Sequence, residues 1–137
     1  MTSPLADRTA QEVFDDHLRL AHELKLEEDI ERNVAEDCVV LTGRGIFRGH
    51  DGVRALADML MREIPSGDWT YGTTVVEGRI AFLEWTVDAG AFQVRDGADS
   101  FLIERGKIQA QTIHYTVVDD RGRLVVRADG TATDHAG

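Results

Sequence analysis

Two carboxylates lie in strand-like segments in phase with large apolar residues. Asp99, in ADSFLIE, shares a face with Phe101 and Ile103, because side chains two apart on a strand point the same way. Glu84, in RIAFLEWTVD, shares a face with Ile80, Phe82 and Thr86, and that face is expected to line a cavity. A carboxyl group among apolar neighbours is either hydrated at an open edge or held inside. If held inside, desolvation raises its pKa and fits it for proton transfer. Two such acids on neighbouring strands can split their pKa values and act as an acid/base pair, with Asp99 the main group. The alternative for Glu84 is an ion pair with Arg95 or Arg105.

Three further side chains could complete a shell for a small ligand, with Phe82 and Phe101 as its apolar walls. His17 falls inside the apolar stripe of a helix, where it is either a satisfied core residue or a base oriented by Asp99 or Glu84. Gln111 and Tyr115 share a face of the last long strand; an amide can orient a polar group and a phenol can donate to one. The chemistry such a set supports is cofactor-free acid/base work on a carbonyl- or enol-bearing substrate: isomerisation, aldol-type cyclisation or dehydration. No metal is expected. The histidines form no H-x-x-H or H-x-H pair, and His114 and His135 stand apart. The lone cysteine, Cys38 in DCVVLT, reads as a small buried residue and excludes an internal disulfide.

Elements of two kinds must position these groups. A helix is expected over about residues 8–25, capped by Asp7 or Thr9 with Glu12 in the capping-box place, and carrying Val13, Phe14, Leu18 and Ala21 on one stripe. A short helix over about residues 27–35 ends before the strand DCVVLT, and a third, over about 52–63, is capped by Asp51 and stopped by Pro65. GRGIFRGHDG lacks the GK[ST] of a phosphate loop. From residue 67 the apolar period becomes two, with turns at Glu77–Gly78, Ala89–Gly90 and Arg105–Gly106, a break at Asp96–Gly97, and a hairpin at DDRG. Helices grouped before a meander mean α+β, with helices packed on a curved antiparallel sheet. Large residues on both faces of the late strands, Leu83 and Trp85 against Ile80 and Phe82, predict that the second face is also covered, by a symmetric partner.

The chain has 137 residues, enough for a single domain with a core and a cavity. Its formal net charge of −10 argues against nucleic acid and anionic membrane surfaces, which require a basic footprint. MTSPLADRTA has neither a basic start nor an apolar run, and no segment approaches a membrane span, so a cytoplasmic location is expected. The ends, about residues 1–6 and 130–137, are small and polar and are expected to be flexible.

Taken in order, AEDCVVLT, FRGHDGVRAL, ADSFLIERGKI and QTIHYTV resemble the SnoaL-like branch of the nuclear transport factor 2-like superfamily, over about residues 8–118. The resemblance implies a cone: a strongly bent sheet around the first helix, leaving an apolar cavity open at one end. Its members include ketosteroid isomerases, polyketide cyclases, dehydratases, epoxide hydrolases and non-enzymes. It also implies that Asp99 takes the place of an acid that the isomerases hold protonated as an oxyanion donor. The isomerases' base falls near Thr42 and their helix tyrosine near Leu20 or Ala21, so the chain departs from them at both positions. Gln111 and Tyr115 are placed by the same likeness in the cavity and His114 outside it. The rival expectation is a non-catalytic ligand-binding or dimeric assembly module of the same fold.

Overall fold

Thr9 starts the first helix by a reciprocal cap. Its hydroxyl accepts the Glu12 N–H while the Glu12 carboxylate accepts the Thr9 N–H. In this computed structural model, which describes residues 4–133, helix α1 spans Ala10–His22 and buries Val13, Phe14 and Leu20. It stops short of the expected residue 25 in a tight turn. There the Leu24 N–H donates to Ala21 O and the Lys25 N–H to Leu20 O. Helix α2 (Leu26–Asn33) follows at once, with Glu27, Glu28 and Asp29 in its first turn, where the helix dipole favours negative charge.

Strand β1 (Val34–Thr42) begins directly after α2. The acidic pair Glu36–Asp37 lies inside it, facing solvent where the register slips. Strand β2 (Gly45–Arg48) pairs with it, and helix α3 (Gly49–Glu63) starts earlier than expected. Asp51 therefore sits in the first turn of α3 and does not cap it. The late strands are β3 (Asp68–Glu77), β4 (Ile80–Asp88), β5 (Phe92–Glu104), β6 (Lys107–His114), β7 (Val117–Asp119) and β8 (Leu124–Val126). The expected break at Asp96–Gly97 does not interrupt β5. It is absorbed as a register shift opposite, between Trp85 and Val87.

The fold is α+β, three helices on a strongly curled sheet of order β2-β1-β6-β5-β4-β3. The sheet is antiparallel except that β1 runs parallel to β6, a long-range pairing that a meander reading does not contain. The DDRG hairpin joins β7 to β8, and the Asp119 carboxylate accepts the N–H groups of Arg121 and Arg123 within it. Of the ends expected to be flexible, Leu5–Asp7 form a 3-10 turn and Ala132 bridges Val126. Residues 1–3 and 134–137, including His135, lie outside the described residues.

Arg8 fixes α1 over the sheet. Its guanidinium donates to Arg32 O at 2.7 Å, to Gly106 O at 2.9 Å and to Asp16 at 3.3 Å. Burial raises the Asp16 pKa, but hydrogen bonds from Arg32 and Arg19 outweigh it and hold the carboxyl well below the usual range. That anchor sits next to His17 and sets which way the inner face of α1 points.

Candidate functional site

The inner face of the sheet is decided by strand register. Leu83 pairs with Asp99 and Ile113 pairs with Asp99 from the other side, so all three point inward with Trp85 and Gln111. Residues of α1 and α3 cover this face incompletely. A cavity of about 500 Å³ remains, walled by His17 and Leu18 of α1, Leu56 and Leu60 of α3, and Trp69, Tyr71 and Trp85 of the sheet. Its mouth carries Leu24, Met61 and the charged residues Glu27, Arg54 and Asp58.

Two buried acids line this cavity, Asp29 of α2 and, on the sheet, Asp99. Asp99 is 7% exposed, and both of its oxygens are held: Trp85 Nε1–H donates to Oδ1 at 2.8 Å and Gln111 Nε2–H to Oδ2 at 3.1 Å. Burial pushes its pKa up to about 7, against the Trp85 hydrogen bond, the charge of His17 and the Gln111 hydrogen bond, each of which pulls down. Trp69 stacks on Trp85 with centroids 4.8 Å apart, which fixes the indole that fixes Asp99. Tyr71 stays neutral, its pKa pushed to about 12 by burial and by the charges of Asp99 and Asp29.

His17 lines the same cavity, and its orienting carboxylate is Asp29 of α2. Nδ1 lies 2.8 Å from Asp29 Oδ2, and Asn33, one helical turn further on, donates to Asp29 Oδ1 at 2.9 Å. Nε2 has no hydrogen-bond partner among the described residues. Burial lowers the imidazole pKa, but the charge and hydrogen bond of Asp29 outweigh that, with a further contribution from the charge of Asp99, and the net shift is upward. The expected orienting partners, Asp99 and Glu84, do not bond Nδ1. In the sequence Asp29 has the look of a solvated residue, because it ends the run Glu27-Glu28-Asp29 at the start of a helix. The spacing of Asp29 and Asn33 on one helical face was the available signal.

The remaining expected residues divide. Gln111 is on the wall, as expected. Glu84 and Phe82 are not: both are exposed on the outer face with Ile80. Large residues occupy both faces of β4, so alternation separates the two sets without saying which is inside. Nor does Glu84 pair with Arg95, which bonds Gln93, or with Arg105, whose partner is Glu104. Phe101 is buried behind the cavity wall, its ring 5.3 Å from His17 and 5.4 Å from Phe14, and it supports the imidazole from beneath. His114 faces outward beside Asp96 at 3.4 Å. Among the described residues no three His, Cys, Asp or Glu side chains are grouped to hold a metal ion.

Tyr115 is buried and packs against Trp85, but it is not on the cavity wall. Its hydroxyl donates to Glu63 Oε2 at 2.7 Å, and the Arg44 guanidinium covers its ring at 3.8 Å while donating to Glu63 Oε1 at 2.7 Å. It is therefore part of a clamp from the residue after β6 to the end of α3, packed 5.7 Å from Trp85. Tyr115→Phe is expected to cost about 1.5 kcal/mol, the low end for a bond to a charged acceptor. Ligand affinity should not change. Urea melts and a ligand titration check this, and a variant of unaltered stability with lost binding would put Tyr115 back in the cavity.

A family model described as a SnoaL-like domain matches residues 15–111. No curated protein matches the chain. Among solved structures it is similar to a protein provisionally assigned as a SnoaL-like polyketide cyclase from Mesorhizobium loti. That pair is 18% identical over 79% of this chain and 100% of the other, with a TM-score of 0.62. A provisionally assigned ketosteroid isomerase from Kribbella flavida is 15% identical over 77% of this chain and 76% of the other, with a TM-score of 0.62. A cystatin-fold protein from Novosphingobium aromaticivorans is 14% identical over 77% and 97%, with a TM-score of 0.64. At these identities the likeness is one of fold.

Proposed function

The chain belongs to the SnoaL-like domain family, and on that premise we propose that its cavity binds a small apolar ketone or enol and moves a proton on it without a cofactor. The observation that carries this reading is Asp99, a buried carboxyl whose pKa is raised to about 7 at the wall of a largely apolar cavity. As a carboxylate steadied by Trp85 and Gln111, it accepts a proton from the carbon next to the carbonyl. His17, protonated and oriented by Asp29, directs its Nε2–H at the carbonyl oxygen and stabilises the enolate that forms. Returning the proton from Asp99 to a different carbon gives an isomer; elimination or ring closure from the same enolate gives the dehydratase and cyclase outcomes. We place the protein in the cytoplasm. No helix among the described residues is long and apolar enough to cross a membrane.

The test is deuterium uptake from heavy water next to the carbonyl of β-tetralone, followed by proton NMR. The wild type is expected to exceed the buffer rate. Asp99→Asn should lower the enzymatic rate by about 10²–10⁴-fold, the usual worth of a positioned acid/base group. His17→Gln should lower it too. The rate should follow a bell in pH, because the reaction needs Asp99 ionised, against its pKa raised to about 7, and His17 protonated, which its raised pKa favours. Saturable binding with no exchange above buffer would favour the second reading, a non-catalytic binding or assembly module. One observation supports that reading: the outer face exposes Ile80 and Phe82 of β4 beside Val75 of the neighbouring β3, a surface suited to a second copy of the chain.

A further inference from the structure

We infer that Leu24 and Met61 form an apolar lip that holds the tail of the ligand, so that the molecule is longer than the cavity, with its carbonyl inside and an aliphatic chain leaving through the mouth. The inference rests on the reading of Asp99 as the site of the carbonyl head. Its starting point is the end of α1. The bonds from Leu24 N–H to Ala21 O and from Lys25 N–H to Leu20 O are those of a Schellman turn, and Leu24 is its left-handed residue, at φ +60°. Glycine is the usual occupant, because a Cβ is strained there. Leucine also finds little burial in return: the residue is 70% exposed.

A strained, wetted leucine that lines a cavity mouth is placed for something outside the folded chain. Met61, 47% exposed, comes to the same mouth from α3 with an unbranched side chain that adapts to irregular apolar shapes. The mouth's cation is already engaged: Arg54 donates to Glu27 at 2.9 Å and to Asp51 at 2.9 Å. The apolar sector is what remains for a ligand to cover. A molecule confined to the interior would leave both side chains in water, whereas an aliphatic tail passing between them would bury both. A second copy docking on the outer sheet face would leave this mouth open, because neither residue belongs to the sheet.

The experiment compares two β-tetralones that share the ketone and differ at the far end of the aromatic ring, one bearing a methoxy group and one an octyloxy group. Binding is followed by the fluorescence of Trp69 and Trp85. Wild type is expected to bind the octyloxy compound more tightly. In Leu24→Gly the ratio of the two affinities should shrink about tenfold, the worth of one leucine side chain in an apolar contact, while Tm rises. Leu24→Asn, also tolerated in the left-handed region, should shrink the ratio likewise. An unaltered ratio in both variants, or no preference for the long tail in wild type, overturns the lip. The head site is judged separately with Asp99→Asn. If wild-type affinities do not vary with pH where Asp99 titrates and the variant matches them, the head reading fails even where the tail preference stands.

Discussion

Asp99→Asn is expected to melt higher than the wild type at pH 8, by on the order of 10 °C, and to lose that advantage as the pH approaches 4. In the folded state the Asp99 pKa is raised to about 7 from 3.8. Between those values the folded chain keeps a proton that the unfolded chain has released, so wild-type stability falls as pH rises. Below 3.8 the carboxyl is neutral in both states and costs nothing. Above about 7 it is charged in both, and the full cost of a buried anion stands, roughly 4 kcal/mol from the size of the shift. Asparagine keeps the shape and never ionises. Its carbonyl can accept Trp85 Nε1–H, and the Gln111 amide can turn its oxygen toward the new NH₂.

The His17 shift works in the same direction. Its folded pKa is raised, so its stabilisation is present at low pH and is lost as pH rises through that value. The two groups interact and titrate as a pair. Melting curves of wild type, Asp99→Asn and His17→Gln/Asp99→Asn from about pH 4 to 9 should therefore show a falling wild-type limb. That limb flattens in the single variant and flattens further in the double. A lower melting temperature for Asp99→Asn at pH 8 would mean that Trp85 and Gln111 fully satisfy the anion. Asp99 would then be structural, and the proton-transfer reading would lose its base.

The face of Asp99 could be read from the sequence because Phe101 and Ile103 follow it at period two, but whether that face is hydrated at an edge or held inside is decided by the burial of Asp99. The facing strand gives two answers. Ile80 and Phe82 are as large as Leu83 and Trp85, so only the pairing of Leu83 with Asp99 tells inside from outside, and pairing is a property of two strands together. Asp29 shows the same limit on the helices. Its acidic neighbours describe a solvated turn, and only the packing of α1 on α2 brings it under His17. Tyr115 is buried on the inner side but lies off the cavity wall, because alternation carries no information about where a cavity ends. Capping chemistry fared better at Thr9, where both halves of the box lie within one turn of chain.

Gly97→Ala is expected to cost about 3 kcal/mol, the upper end for overpacking, and to release Trp85 from Asp99. Gly97 is an ordinary strand residue by its backbone, so the demand for glycine is one of space. A Cβ there would stand 2.3 Å from Cδ2, 2.4 Å from Cε2 and 2.7 Å from Cε3 of Trp85. The indole has little room to retreat. Trp69 stacks on it at 4.8 Å, and Tyr115, pinned by Arg44 and Glu63, lies at 5.7 Å. Whichever part gives way, the 2.8 Å bond from Nε1 to Asp99 is broken or lengthened, and the carboxyl loses the first of the interactions that restrain its pKa. The variant should therefore be less stable in urea, and the pH at which Asp99 titrates should move further up. Trp85→Phe separates the two consequences, because the smaller ring makes room for the methyl but carries no N–H. Contact predicts strong coupling, so Gly97→Ala/Trp85→Phe should lose much less than the sum of the single losses. Additive losses would mean that the methyl is accommodated elsewhere, and that Trp85 is held by its stacking partners without any need for the open face of Gly97.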